Sequence, residues 1–160
     1  MIYLSAELTI ARKPELVWSV LADVGAYASW VEGLTEVLHD TGPSFAEGAS
    51  FDVTFSLAKK KVRATTEISR CREAVMLATE TRIRGRLSLL DRIELAPVAE
   101  GTKLSALSEL VQDAGVLRLF SRSSGLLGAS EPERAPQKVY SRSFRAFKLL
   151  VEARTAAPYR

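Results

Sequence analysis

Ser50-Phe51-Asp52-Val53-Thr54-Phe55-Ser56-Leu57 alternates polar and apolar residues without interruption. In an extended chain successive side chains point to opposite faces, so Phe51, Val53, Phe55 and Leu57 share one face and Ser50, Asp52, Thr54 and Ser56 the other. The segment reads as a strand with one buried and one wetted side. The same period continues in both directions. Upstream, Leu4, Ala6, Leu8 and Ile10 alternate with Ser5, Glu7 and Thr9; downstream, Val62, Ala64, Thr66 and Ile68 share a face within residues 62–69. Further alternating runs cover residues 75–83, 87–95 and 102–111, with Gly85 and the stretch from Pro97 to Gly101 as turns. Counting a less regular strand within residues 34–40, where Leu34, Val37 and Leu38 do not share one parity, the pattern predicts about seven strands.

Helical periodicity enters at two places. Pro14 opens a stretch over residues 14–22, because proline suits a first helical turn and Leu16, Val17, Val20 and Leu21 recur at helical spacing. Gly25 is expected to end it, and residues 26–30, Ala-Tyr-Ala-Ser-Trp, read as a second short helix. Together they would cap one end of the sheet. After Asp113 a short helical segment is expected at residues 114–120, with Val116, Leu119 and Phe120 on one face. The last helix runs from about Ala135 to Arg154. Ser130-Glu131-Pro132-Glu133 matches a capping box, yet Pro136 would disrupt a helix already running. Along this helix Val139, Tyr140, Phe144, Phe147, Leu150 and Val151 form a broad apolar stripe opposite Arg134, Lys138, Arg142 and Arg145. A twisted antiparallel sheet of this size curls, and one long amphipathic helix must fill its concave side. The expected fold is therefore α+β: a seven-stranded curved antiparallel sheet around a long C-terminal helix, with two short helices after the first strand, in one domain over residues 1–160.

Composition narrows the function. A chain of 160 residues buries roughly 70% of its unfolded surface, enough for a core and a pocket. With one cysteine, Cys71, and one histidine, His39, it offers no internal disulfide and no thiolate or imidazole cluster for a metal, and no cofactor is expected. The apolar N-terminal run is interrupted by Glu7 and followed by Arg12 and Lys13, the reverse of a secretory signal's charge order, so a cytoplasmic location is expected. The 22 basic and 19 acidic residues are interspersed and leave a net charge of only +3, so nucleic acid is not expected as a partner. Lys59-Lys60-Lys61 reads as a solvated hairpin that discourages aggregation. The basic row on the last helix reads as its wetted back, while leaving contact with an anionic membrane open.

Several ordered motifs carry a resemblance. Ile10-Ala11-Arg12-Lys13-Pro14-Glu15-Leu16-Val17-Trp18 is followed by Asp23 and Trp30, by Gly48, by Gly101-Thr102-Lys103-Leu104, and by the aromatic terminal helix. In this order the chain resembles the START-like (SRPBCC) superfamily and, within it, the polyketide cyclase/dehydrase and lipid-transport branch. The likeness spans about Leu4 to Glu152 and departs at Gly125 to Pro136, which is richer in glycine and proline than the family's entry into its last helix. The resemblance implies a helix-grip fold that binds or transports a small hydrophobic molecule, a lipid, isoprenoid or polyketide-like compound, in an internal cavity. The alternative it implies is an aromatase/cyclase-like enzyme acting on such a substrate. A third reading is a protein-interaction module whose pocket is filled by side chains.

No catalytic motif declares itself. A nucleophilic site wants Ser or Cys beside a base, and the chain has no Gly-x-Ser-x-Gly elbow, no Gly-rich phosphate loop and a single histidine of ambiguous facing. Cys71, flanked by Arg70 and Arg72, reads as an ordinary strand-end thiol. The dissonant residue is Asp91, in phase with Leu87, Leu89, Ile93 and Leu95. Strict alternation points it inward, where an unpaired carboxylate is costly; either a bulge flips the register or Asp91 is a polar contact of the pocket. Thr66, Thr79, Thr81 and Ser108 also fall on inward faces, as a mostly apolar pocket with a few polar groups requires. Tyr140, Phe144 and Phe147 would close the pocket from the helix, Phe51 and Phe55 from the sheet, and Trp30 at one end. The apolar residues Val116, Leu117, Leu119, Phe120, Leu126 and Leu127 read either as a flap over the entrance or as packing against the sheet edge.

Overall fold

The computed structural model describes residues 2–38, 45–57, 59–111 and 134–154. Strand β1, Ile2–Ile10, leads to helix α1, Pro14–Leu21, and a 3-10 helix, Val24–Ser29. Six strands follow: β2 Leu34–Leu38, β3 Ser50–Leu57, β4 Lys60–Arg72, β5 Met76–Ile83, β6 Arg86–Val98 and β7 Gly101–Leu110. Helix α2, Arg134–Ala153, closes the described chain. The seven strands form one antiparallel sheet in the order β1-β7-β6-β5-β4-β3-β2. The α+β helix-grip architecture expected from the alternation is the one observed.

Curvature comes from three register shifts. They leave Thr35 on β2, Ser69 on β4 and Ser88 on β6 as extra residues opposite a regular partner. Such bulges bend a strand and increase its twist, and three of them wrap the sheet around α2. The apolar stripe of α2 then joins the sheet's inward residues in one core, in which Ile10, Leu104, Phe147 and Val151 have no exposed surface.

Polar contacts hold the helix at both ends and along one flank. Gln137 bonds the backbone of Ser5 in both directions. At the other end Arg12 donates to the carbonyls of Glu152 and Arg154, and the Glu152 carboxylate accepts from the Ala11 N–H at 3.3 Å. Between them the Arg142 guanidinium grips both carboxylate oxygens of Glu32 at 2.9 Å, and Ser143 Oγ accepts from the Glu32 N–H at 2.9 Å.

The β6–β7 turn is tied to the same corner. Gly101 has φ +139°, and a Cβ there would collide with the carbonyl oxygen of Ile10 and the backbone of Arg12. Only glycine fits that conformation and that approach. Its neighbour Thr102, fully buried, donates from Oγ1 to the Arg12 carbonyl at 2.7 Å.

Some expected boundaries shift. Gly25 does not end α1, which stops at Leu21; it lies inside the 3-10 helix. Lys60 and Lys61 belong to β4, paired with Leu57 and Ser56, so only Lys59, at φ 64°, is a turn residue. β6 continues through Pro97 to Val98. β5 begins opposite Glu94, so by Pro97 the strand has one neighbour and a missing N–H is tolerated. Nor is the basic row of α2 wholly solvated, because Arg142 is engaged by Glu32. His39, the segment expected to be helical at residues 114–120, the flap residues and the capping box lie outside the described residues.

Candidate functional site

A cavity of about 180 Å³ lies between the concave face of the sheet and α2. Trp30, Phe51 and Phe55 contribute aromatic rings from the 3-10 helix exit and β3, and Tyr140 and Phe144 from α2. Thr66, Thr79, Thr81, Asp91 and Ser108 supply polar groups from β4 to β7. Ten of the eleven residues expected at the site therefore line one space. The exception is Phe147. It has no exposed surface and packs behind the cavity against Trp30, with ring centroids 4.8 Å apart, so it is a core residue and not a wall. Residues 144 and 147 share the inward stripe, but the later one meets the closed end where Trp30 already fills the space.

Asp91 resolves the choice between bulge and pocket. The bulge exists on β6 but lies at Ser88, before Asp91. Leu89, Asp91 and Ile93 stay in phase and line the cavity, while Leu87, on the far side of the bulge, does not. The surface Asp91 retains is toward this cavity. Burial pushes its pKa up to about 6, against a smaller opposing effect of the Ser108 hydroxyl. Ser108 stands directly opposite Asp91 across β6–β7, and Thr79 opposite it across β5–β6, so a polar row crosses the cavity floor. Ser108 Oγ nevertheless has no hydrogen bond of good geometry, so its proximity only moderates the rise.

The remaining hydroxyls divide into satisfied and unsatisfied. Thr66 and Thr81 bond each other at 2.9 Å. Tyr27 donates to the Leu21 carbonyl at 2.9 Å, and burial together with the Asp91 charge raises its phenol well above the ordinary range. Tyr140 is raised by the same two causes. Among the described residues, the buried side-chain polar atoms without a partner are Trp30 Nε1, Ser108 Oγ and Tyr140 Oη, and all three residues line this cavity.

Several lining residues escape the sequence pattern. Tyr27 belongs to the short-helix segment read as a sheet cap, Val31 follows it, and Leu34 is hidden by the Thr35 bulge. Glu32 and Ser143 reach the lining through their mutual contact. Leu77 was legible, since it is in phase with Thr79 and Thr81. Cys71 is not part of the cavity; burial and the neighbouring Glu47 and Glu73 raise its thiol pKa, the opposite of activation.

A sheet curved around a long helix, with an apolar interior cavity and a few polar groups between them, defines a helix-grip fold. The model of the polyketide cyclase / dehydrase and lipid transport family matches residues 1–152, and the chain belongs to that family. Among solved structures it is similar to protein CV1439 from Chromobacterium violaceum, with a TM-score of 0.71 at 19% identity over 96% of this chain and 100% of that one. It is also similar to protein MLL2253 from Mesorhizobium loti, with a TM-score of 0.66 at 16% identity over 96% and 98% of the two chains. TTHA0849 from Thermus thermophilus superposes with a TM-score of 0.62 at 17% identity over 94% and 97%. These likenesses concern the fold. No curated protein matches the sequence. Among the described residues, no helix is long and apolar enough to cross a membrane.

Proposed function

We propose that the protein is a single-domain binding or carrier protein for a small hydrophobic molecule, which sits between the concave sheet and α2. The observation that carries this reading is the lining itself: aromatic walls from Trp30, Phe51, Phe55 and Phe144 and aliphatic ones from Leu77, Leu89 and Ile93, interrupted by isolated hydroxyls and two carboxyls. That is the pattern of small-molecule sites, where apolar surface supplies affinity and a few polar groups set orientation. A cavity lined in this way also argues against the interaction-module reading, in which side chains fill the interior. Native mass spectrometry of the purified protein, with organic extraction of any adduct, tests it. Retention or uptake of a hydrophobic compound at one per chain is expected; failure to take up any apolar probe would reject the carrier reading.

A second reading, a cyclase-like enzyme, is favoured by Asp91 and Tyr140 lining the same cavity. A carboxyl with a pKa of about 6 is divided between its two protonation states near neutrality, which suits proton transfer to or from a bound ketone. Turnover of a poly-ketone substrate that disappears in both Asp91→Asn and Tyr140→Phe would favour the enzyme; unchanged ligand recovered after incubation would favour the carrier.

A further inference from the structure

We propose that the cavity selects a neutral, ring-sized apolar molecule bearing one hydrogen-bonding oxygen, a hydroxyl or carbonyl, which meets at least one of Trp30, Ser108 and Tyr140. The inference rests on the binding reading above and narrows it to a ligand class.

Hydrogen bonding is the first argument. Native interiors pair nearly all buried polar atoms, because an unpaired one forfeits its hydration without return. Here Trp30 Nε1, Ser108 Oγ and Tyr140 Oη have no partner among the described residues, and their residues line the same space. Indole N–H donates only, so Trp30 requires an acceptor, whereas the two hydroxyls can donate or accept. Hydrocarbon alone would leave all three unmet. An oxygen function on the guest answers at least one of them.

Charge is the second argument. The described lining contains two carboxyls, Asp91 and Glu32, and no lysine, arginine or histidine. Glu32 is held by the Arg142 guanidinium, but Asp91 is deep in the cavity with only hydroxyl neighbours across the strands. An anionic guest would meet a like charge and no cation to hold it. Size is the third argument. A volume of about 180 Å³ is comparable to the engineered cavity of ~150 Å³ that holds benzene in another protein, so one or two fused rings match it better than a long acyl chain.

Three probes of one shape separate these arguments: naphthalene, 2-naphthol and 2-naphthoate, titrated by calorimetry at pH 8 into the parent protein and into Tyr140→Phe and Ser108→Ala. The naphthol is expected to bind about tenfold tighter than naphthalene, equivalent to one or two net hydrogen bonds. The naphthoate is expected to bind at least about a hundredfold more weakly than the naphthol. In at least one of the two variants the preference for naphthol over naphthalene should narrow to about twofold or less, a ratio taken within each variant so that probe solvation cancels; a preference unchanged in both overturns the inference. Naphthalene binding without a naphthol preference, or with the naphthoate bound as well as the naphthol, overturns this inference and leaves the binding reading standing. A folded protein that binds none of the three overturns both.

Discussion

Gln137 completes the exposed edge of Ser5: its side-chain amide accepts from the Ser5 N–H at 3.0 Å and donates to the Ser5 carbonyl at 2.8 Å. β1 is an edge strand, paired with β7 on one side only, and the glutamine amide occupies the place of a further strand's peptide group. One residue of α2 thus docks the helix and blocks one site of edge-to-edge pairing.

Gln137→Ala should destabilise the protein by about 1 kcal/mol, because the site is exposed and water takes over part of both bonds. For a domain of this size, thermal unfolding would shift down by about 2–4 °C. An unchanged midpoint would mean that water serves Ser5 as well as the glutamine does.

The Asp91 carboxyl makes stability depend on pH. Its folded pKa of about 6 lies above the ordinary 3.8, so the folded protein binds the proton more tightly than the unfolded chain. Stability is therefore lost as pH rises from about 4 through 6, by roughly 3 kcal/mol in total. Asp91→Asn removes this dependence. It is expected to exceed the parent in denaturant resistance at pH 8, by an amount of that order, and to approach it near pH 4. A difference of the same size at both pH values would show that Asp91 does not titrate in this way.

Gly101→Ala should be among the most damaging single substitutions, costing more than about 2 kcal/mol, since the new methyl meets backbone of Ile10 and Arg12 at a φ of +139°. Thr102→Val, which keeps the shape but deletes the bond to the Arg12 carbonyl, should cost about 1–2 kcal/mol. Equilibrium urea unfolding orders the two. If Gly101→Ala were the milder, the tight approach of the turn to β1 would be refuted.

Phe144 and Phe147 should separate binding from stability. Phe147 is fully buried against Trp30, so Phe147→Ala is expected to cost about 3–5 kcal/mol. The milder Phe147→Leu should cost about 1 kcal/mol and leave the affinity for an apolar probe within about twofold. Phe144→Leu, by contrast, alters a cavity wall and should change that affinity several-fold. Equal effects of the two leucine variants on binding would place both residues at the ligand.

Alternation made most of the sheet and its polar floor legible, because side-chain parity passes undisturbed along β1, β3 and β7. It failed where parity breaks. Leu34 and Val37 share a face only because Thr35 is an extra residue, their partners Phe55 and Val53 being two apart on β3. A bulge leaves no local composition signal here, so β2 looked irregular and its contribution to the cavity was hidden. On β6 the parity shift at Ser88 was equally invisible, yet Asp91 kept the facing that strict alternation assigned to it. Phe147 was misplaced for a different reason: helical spacing reports which side of α2 faces inward but not how deep the empty space extends along it. Trp30 set that depth from a distant part of the chain.

Apart from Ser143, which accepts from the Glu32 N–H and also lines the cavity, the residues of α2 that fasten the helix differ from those that face the cavity. Gln137, Arg142 and Glu152 hold the helix by its ends and outer flank, while Tyr140 and Phe144 between them make no polar bond to the sheet among those described. Fastening and cavity lining therefore lie largely on different residues: positions 89, 91 and 140 can change without cutting a bond that holds the helix, whereas Phe144 also belongs to the buried core. A scaffold divided in this way is readily retuned, and the persistence of the architecture at 16–19% identity among its structural neighbours fits such a division. For engineering, it means a library confined to positions 89, 91 and 140 would vary the cavity wall while leaving the helix fastenings in place.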